Sequence, residues 1–310
     1  MPRRPGRRWS PKRENWKPTG AEPMKYWQVV AMTDMEEIPT LALKAEEIGL
    51  EGITLGDHLI TFQEQYEAYP ESEDAVIRWY PETHWPDPWV QFGALAQITK
   101  RIKFLTTIFV LPMRDPFSIA KAVSTAARIS NDRMILGTGI GWQESEFALV
   151  EREFRNRGAR CDEMLDVIRL LMTGEVIEYH GKHFDFPRLQ MAPGTREQVP
   201  FWIGGYSDAA LKRAARYEGW VGSMHDIAGL KEIMHKLKRE REAIGRRMDD
   251  FNVILAVHDK GRTADLYRAA EDLGVNHIYK PAWLDEKGRA STLTLDEKLA
   301  EMDRFAQRFL

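Results

Sequence analysis

Cysteine is almost missing: the 310 residues hold one, Cys161. That excludes an intramolecular disulfide and any metal site built from several thiolates. Its neighbours Asp162, Glu163, Met164 and Leu165 read as helix, which favours a packed thiol over a nucleophile. No apolar run approaches the roughly 20 residues of a membrane span, so no membrane partner is expected. Neither charge dominates, the formal net charge being -3, and nucleic acid is not an expected partner either. No His-x-His follows the first strand-like segment, and no carboxylate–histidine set marks the strand ends. A metal-dependent barrel hydrolase is therefore disfavoured, and no metal is expected.

What is present is unevenly distributed. Residues 1–25 hold eight Lys/Arg against two Glu, leaving a charge of +6 there and -9 on the remainder. Pro2, Pro5, Pro11, Pro18 and Pro23 discourage regular structure, so this stretch reads as a basic, Pro-rich arm. The pairs Arg3-Arg4 and Arg7-Arg8 are not followed by the apolar segment of an export signal. A cytoplasmic location is expected, with residues 26–310 as one domain.

In that domain, strand-like and helix-like runs alternate. Tyr26–Met32 reads as strand, and Pro39–Ile48 as a helix stopped by Gly49. Gly52–Leu55 is a short buried strand, followed by a long polar and aromatic excursion over 59–86. Asp87-Pro88 and Asp115-Pro116 each supply an N-cap and a first helical residue. Strands over 102–110 and 133–138 enclose the second of these helices, and a charged loop leads to a helix over 161–173. Val176–Phe186 alternates around His180-Gly181 as a hairpin. Four further strands and helices follow, the last helix opening on the capping-box pair Thr294 and Glu297. The count of eight strands and eight helices predicts a (β/α)8 TIM barrel with insertions after strands 2 and 4. A doubly wound open sheet is the rival.

Chemistry in such a barrel sits at the carboxyl ends of the strands. The polar residues there are Asp57-His58, Thr106-Thr107, Gly204 to Ser207, His225, His258 and Lys280, with Gly137, Gly139 and Gly141 ahead of Trp142. His58 can exchange a proton near neutral pH, or merely cap its strand. Gly204-Gly205-Tyr206-Ser207 precedes a helix, where bare N–H groups attract phosphate; a plain tight turn capped by Ser207 is equally compatible.

Several stretches together resemble the luciferase-like monooxygenase family of flavin- and deazaflavin-dependent oxidoreductases. They are Ala45–Leu50 with Gly56–His58, Leu111–Pro116 with Ala120-Lys121, and Arg128–Arg133 with Leu136–Trp142. Arg157-Gly158 with Asp162-Glu163, and Trp202–Ser207 with Gly219-Trp220, complete the set. The resemblance is greatest to the branch using the deazaflavin coenzyme F-420. It implies a TIM barrel, often a homodimer, that holds a reduced flavin or deazaflavin in its mouth. It also places the histidine beside the reactive ring at His58, with Asp57 adjoining. It places the ring-supporting bulge, frequently with a non-proline cis peptide, at Thr107–Ile108. Cofactor contacts are implied at Gly139, Gly141, Gly204, Gly205, Tyr206 and Ser207.

Two departures narrow the reading. Bacterial luciferases carry a phosphate-binding arginine where this chain has Ile140, which weakens flavin mononucleotide (FMN) as cofactor. Deazaflavin-dependent sugar-phosphate dehydrogenases carry a tryptophan and a glutamate where this chain has Phe62 and Trp142, which argues against a sugar phosphate. Phe62, Trp79, Trp85 and Trp142 instead form a candidate pocket for a small apolar or aromatic substrate, or else pack a long loop. The expected activity is hydride exchange between coenzyme F-420 and such a substrate. The alternatives are a two-component monooxygenase using reduced FMN and oxygen, and a non-catalytic cofactor-binding homologue; a flavin or deazaflavin reductase is a candidate partner.

Overall fold

The computed structural model describes residues 23–64, 77, 79–257, 264–280, 282–283 and 292–310. The basic arm up to residue 22, His258 and part of the excursion after the second strand lie outside these. Strand β1 (Lys25–Val29) pairs in parallel with β2 (Gly52–Leu55), and β2 with β3 (Lys103–Thr106). After a two-residue interruption the third barrel strand resumes as β4 (Phe109–Val110), and both pieces pair with β5 (Met134–Gly139). The antiparallel hairpin β6 (Val176–His180) and β7 (Asp185–Gln190) stands apart. The barrel continues through β8 (Phe201–Gly204), β9 (Gly219–His225), β10 (Asn252–Val257) and β11 (His277–Lys280), which pairs back to β1. Eight parallel strand positions thus close on themselves, which excludes the open sheet.

The helices in chain order are α1 (Ile38–Glu47), α2 (Pro88–Ile98), α3 (Pro116–Ser130), α4 (Glu144–Leu149), α5 (Arg157–Leu171), α6 (Asp208–Ala215), α7 (Ile227–Ala243), α8 (Ala264–Asp272) and α9 (Leu295–Phe309). Their starts follow local chemistry. Asp87 accepts from the N–H groups of Trp89 and Val90, Asp115 from Ser118, and Thr294 and Glu297 close a capping box. The third strand is interrupted at residues 107–108, where the resemblance places a bulge. One sequence expectation needs correction: the charged loop after β5 contains α4, after which α5 begins four residues earlier than its apolar spacing indicates. Among the described residues no helix is long and apolar enough to cross a membrane.

Strand alternation sorts the core into two shells. Tyr26, Ile53, Phe104, Met134, Leu136 and Phe201 face the helices, whereas Trp27, Leu105, Ile135, Trp202, Val221 and Ile254 fill the barrel. Trp27 and Trp202 plug its amino end, ring centroids 6.0 Å apart, where Gly52 and Gly219 leave room for them. An added Cβ would lie 2.5 Å from the Trp27 ring or 2.6 Å from that of Trp202. His277 completes this floor, its Nδ1 accepting from Trp27 Nε1 at 2.9 Å and its Nε2 bonded to Asn252 Oδ1 at 3.0 Å. Burial, with Lys25 and Lys103 nearby, pushes its pKa down to about 3, so the ring is neutral.

Candidate active site

At the opposite end, the carboxyl ends of β2, β4, β5 and β8 form a mouth. The Gly56-Asp57-His58 turn leaving β2 assigns each residue a different task. Gly56 clears a face for the Trp85 ring, which an added Cβ would meet at 2.8 Å. Asp57 is buried and accepts two bonds from Arg114, Nη1 to Oδ2 at 2.7 Å and Nη2 to Oδ1 at 2.8 Å, and a third from Val110 N–H at 2.9 Å. Burial raises its carboxyl pKa while Arg114 opposes the rise. Both Asp57 oxygens are thus spent on tying the β2 turn to β4 and to Arg114 beyond it. Its neighbour His58 is held in the mouth.

His58 is walled by indoles. Its ring centroid lies 4.8 Å from Trp79, 4.9 Å from Trp85 and 6.3 Å from Trp142, and Trp79 and Trp85 meet edge-on at 5.2 Å. Trp79 donates to Thr61 Oγ1 at 3.2 Å. Three of the four pocket residues expected from the sequence therefore converge on the histidine; Phe62 is half-buried in the same turn. His58 Nδ1 is buried and stands 3.3 Å from Glu146 Oε2, out of line for a hydrogen bond.

The third strand breaks at Thr107–Ile108, whose peptide bond is cis, where the resemblance places it. Ile108 lies between two strand ends that carry no side chain. An added Cβ at Gly139 would meet Ile108 Cδ1 at 2.1 Å, and one at Gly204 would meet its Cγ2 at 2.8 Å. Thr138 Oγ1 donates to Phe109 O across the same junction, at 2.9 Å. These glycines thus admit Ile108, which gives the mouth an apolar base joined to the interior cluster.

The other glycines serve the turns. Gly141 has φ +76°, and its carbonyl accepts from Arg157 Nε at 3.0 Å. Gly205 has φ +109°, a conformation that disfavours any side chain, and its carbonyl accepts from Trp220 Nε1 at 2.8 Å. Tyr206 is hydrogen-bonded to Ser223 through its hydroxyl at 2.9 Å, and Ser207 caps α6 through Ala210 N–H at 3.2 Å. Asp208 opens that helix, paired with Lys236 at 2.9 Å. Cys161 is fully buried outside this constellation, its thiol pushed up to about 12 by burial, as befits packing rather than nucleophilic chemistry.

Sequence reading missed Arg114, Glu146 and Arg157 as parts of the site. Arg114 and Arg157 stand inside the motifs that carry the resemblance, but their partners are 57 and 16 residues away. Glu146 sits among other acids, and only the fold shows that it is buried.

A closed barrel with a histidine among aromatic rings above a glycine-flanked base defines an enzyme of the ligand-binding TIM-barrel class. The sequence model of the family described as luciferase-like monooxygenase matches residues 14–259, and the chain belongs to that family. It is an oxidoreductase. A Mycobacterium tuberculosis protein described as uncharacterized is 30% identical over 287 residues, covering 93% of this chain and 99% of that one. A coenzyme F-420-dependent glucose-6-phosphate dehydrogenase of Amycolatopsis mediterranei is 28% identical over 271 residues, 83% of this chain and 77% of that protein. The crystal structure of monooxygenase RslO1 from Streptomyces bottropensis superposes with a TM-score of 0.71 at 19% identity, covering 92% of this chain and 98% of that one.

Proposed function

We propose that the chain exchanges hydride between coenzyme F-420, held in the barrel mouth, and a small apolar or aromatic organic substrate. The observation that carries this reading is the juxtaposition of His58 with Trp79, Trp85 and Trp142. A titratable ring walled by indoles suits a substrate with an extended apolar surface and one polar atom needing a proton. The residues present fit a flat ring system: the base is the branched side chain of Ile108, and Gly139 and Gly204 add nothing that would project above it. Bound there, the deazaflavin supplies or accepts the hydride.

The chain's own contribution is positional and protic. Asp57, gripped by Arg114 and Val110, keeps the β2 turn in place, and His58 exchanges the proton that accompanies hydride. Trp79, Trp85 and Trp142 exclude water and orient the substrate, with Phe62 assigned to the same wall. Gly205, Tyr206 and Ser207, at the start of α6, are assigned to the coenzyme's phosphate, and Gly141 to the adjoining turn. Ile140 in place of an arginine supports the deazaflavin over FMN. The 28% identical deazaflavin-dependent relative supports the same choice. A homodimer completes the proposal, together with a reductase where the coenzyme is the hydride donor and must be recharged.

Parallel titration with coenzyme F-420 and FMN, each in its reduced form under anaerobic conditions, tests the reading. At least tenfold tighter binding of the deazaflavin is expected. Preference for FMN, with oxygen-dependent product formation, would replace it by the two-component monooxygenase. Failure to bind either would overturn both.

A further inference from the structure

Glu146 is a carboxylate with its side chain only 3% exposed, carried on the six-residue helix α4. Its two oxygens do different things. Oε1 accepts from Leu59 N–H at 3.0 Å and Ile60 N–H at 3.5 Å, the two residues that follow His58. Oε2 is thereby left facing His58 Nδ1 at 3.3 Å.

We propose that Glu146 is a positioning residue that fixes the tautomer of His58, holding the proton of the neutral ring on Nδ1 and leaving Nε2 as its basic nitrogen. The reason is electrostatic. An unprotonated Nδ1 would set its lone pair against a carboxylate oxygen 3.3 Å away, whereas Nδ1–H presents a positive hydrogen to it. The same carboxylate, by holding the Leu59 and Ile60 amides, prevents the β2 turn from carrying the ring away. Glu146 acts through His58, and its mechanistic meaning rests on the proposed proton exchange at that residue.

Glu146→Gln separates anchoring from tautomer control. The amide oxygen still accepts from Leu59 and Ile60, which turns the NH2 group toward Nδ1. A donor there favours the opposite ring, with an unprotonated Nδ1 and the proton on Nε2. Nitrogen-15 histidine labelling of the coenzyme-free protein, well above neutral pH, reads the tautomer directly from two-bond proton couplings. Loss of the signal in His58→Gln assigns it among the eight histidines. The expected result is Nδ1–H in the wild type and Nε2–H in Glu146→Gln. An Nε2–H ring in the wild type overturns the proposal, whether or not the variant folds. So does an unchanged Nδ1–H ring in a folded Glu146→Gln protein. Because no coenzyme is present, the outcome is independent of the functional reading. Tautomer reversal in a protein that fails to bind coenzyme F-420 would keep Glu146 in its role and overturn that reading instead.

Discussion

Gly139 lacks a side chain where Ile108 needs the room: the Cδ1 atom of Ile108 lies 2.1 Å from where a Cβ on Gly139 would stand. On the other flank Gly204 faces Cγ2 of the same isoleucine, its added Cβ 2.8 Å away. The two contacts involve different branches of one side chain, so they can be separated. Gly139→Ala should cost about 1–3 kcal/mol through overpacking, and Ile108→Val, which removes Cδ1, should recover most of it. Gly204→Ala should not be recovered, because valine keeps a methyl at the Cγ2 position. Denaturant unfolding of the three single and two double variants, in two double-mutant cycles, checks this. Equal recovery for both glycines would show that Ile108 does not sit as described.

Asp57→Asn should destabilise the chain by about 3–5 kcal/mol, since it leaves the guanidinium of Arg114 partly buried without its charge partner. Arg114→Lys should be only slightly better, because an ammonium cannot make the two parallel bonds. The measurement is the urea midpoint at neutral pH. A loss below about 1 kcal/mol, the range of an exposed pair, would mean that the β2 turn is held by other contacts.

The barrel floor carries a pH signature. His277 is neutral when folded, with its pKa pushed down to about 3, against 6.5 in an unfolded chain. The unfolded state therefore binds this proton more readily. Stability is unaffected above pH 6.5 and declines as pH falls from 6.5 toward 3, by on the order of 1 kcal/mol per pH unit. His277→Gln, which does not titrate and can still accept from Trp27 Nε1, should flatten this limb. Melting temperatures across that window, for both proteins, decide the matter.

His58→Ala should leave coenzyme F-420 affinity within a few-fold and lower turnover by about 10²–10⁴. His58→Asn keeps hydrogen-bonding capacity but does not titrate near neutral pH, so it should not restore the rate. If His58 only capped its strand, the loss would appear in melting temperature and Asn would repair it. Near-normal turnover of a folded His58→Ala protein would remove the proton-exchange role.

Local chemistry was legible before the fold. Asp87-Pro88, Asp115-Pro116 and the Thr294–Glu297 pair announce helix starts because each cap and its target lie within a few residues. Asp57 and His58 were legible by position, being placed at a strand's carboxyl end. What escaped depends on separation in sequence. Glu146 meets the β2 turn across 87 residues and Arg114 meets Asp57 across 57, and no periodicity encodes such pairs. The glycines were legible as special, and the fold adds a reason that the sequence does not give: Gly139 and Gly204 leave room for Ile108. A substitution at Gly205 would not isolate phosphate access, since its φ of +109° penalises any side chain even with no phosphate there.

The distribution of indoles makes the molecule its own optical probe. Of ten tryptophans, Trp79, Trp85 and Trp142 surround His58, while Trp27 and Trp202 are sealed into the floor at the far end of the barrel. A chromophore entering the mouth quenches the first group by contact and the second to a smaller degree, across the barrel interior. Emission should therefore fall in two unequal fractions, a deep loss from the rim and a residue from the floor. Trp27→Phe would subtract from the residue without touching the loss.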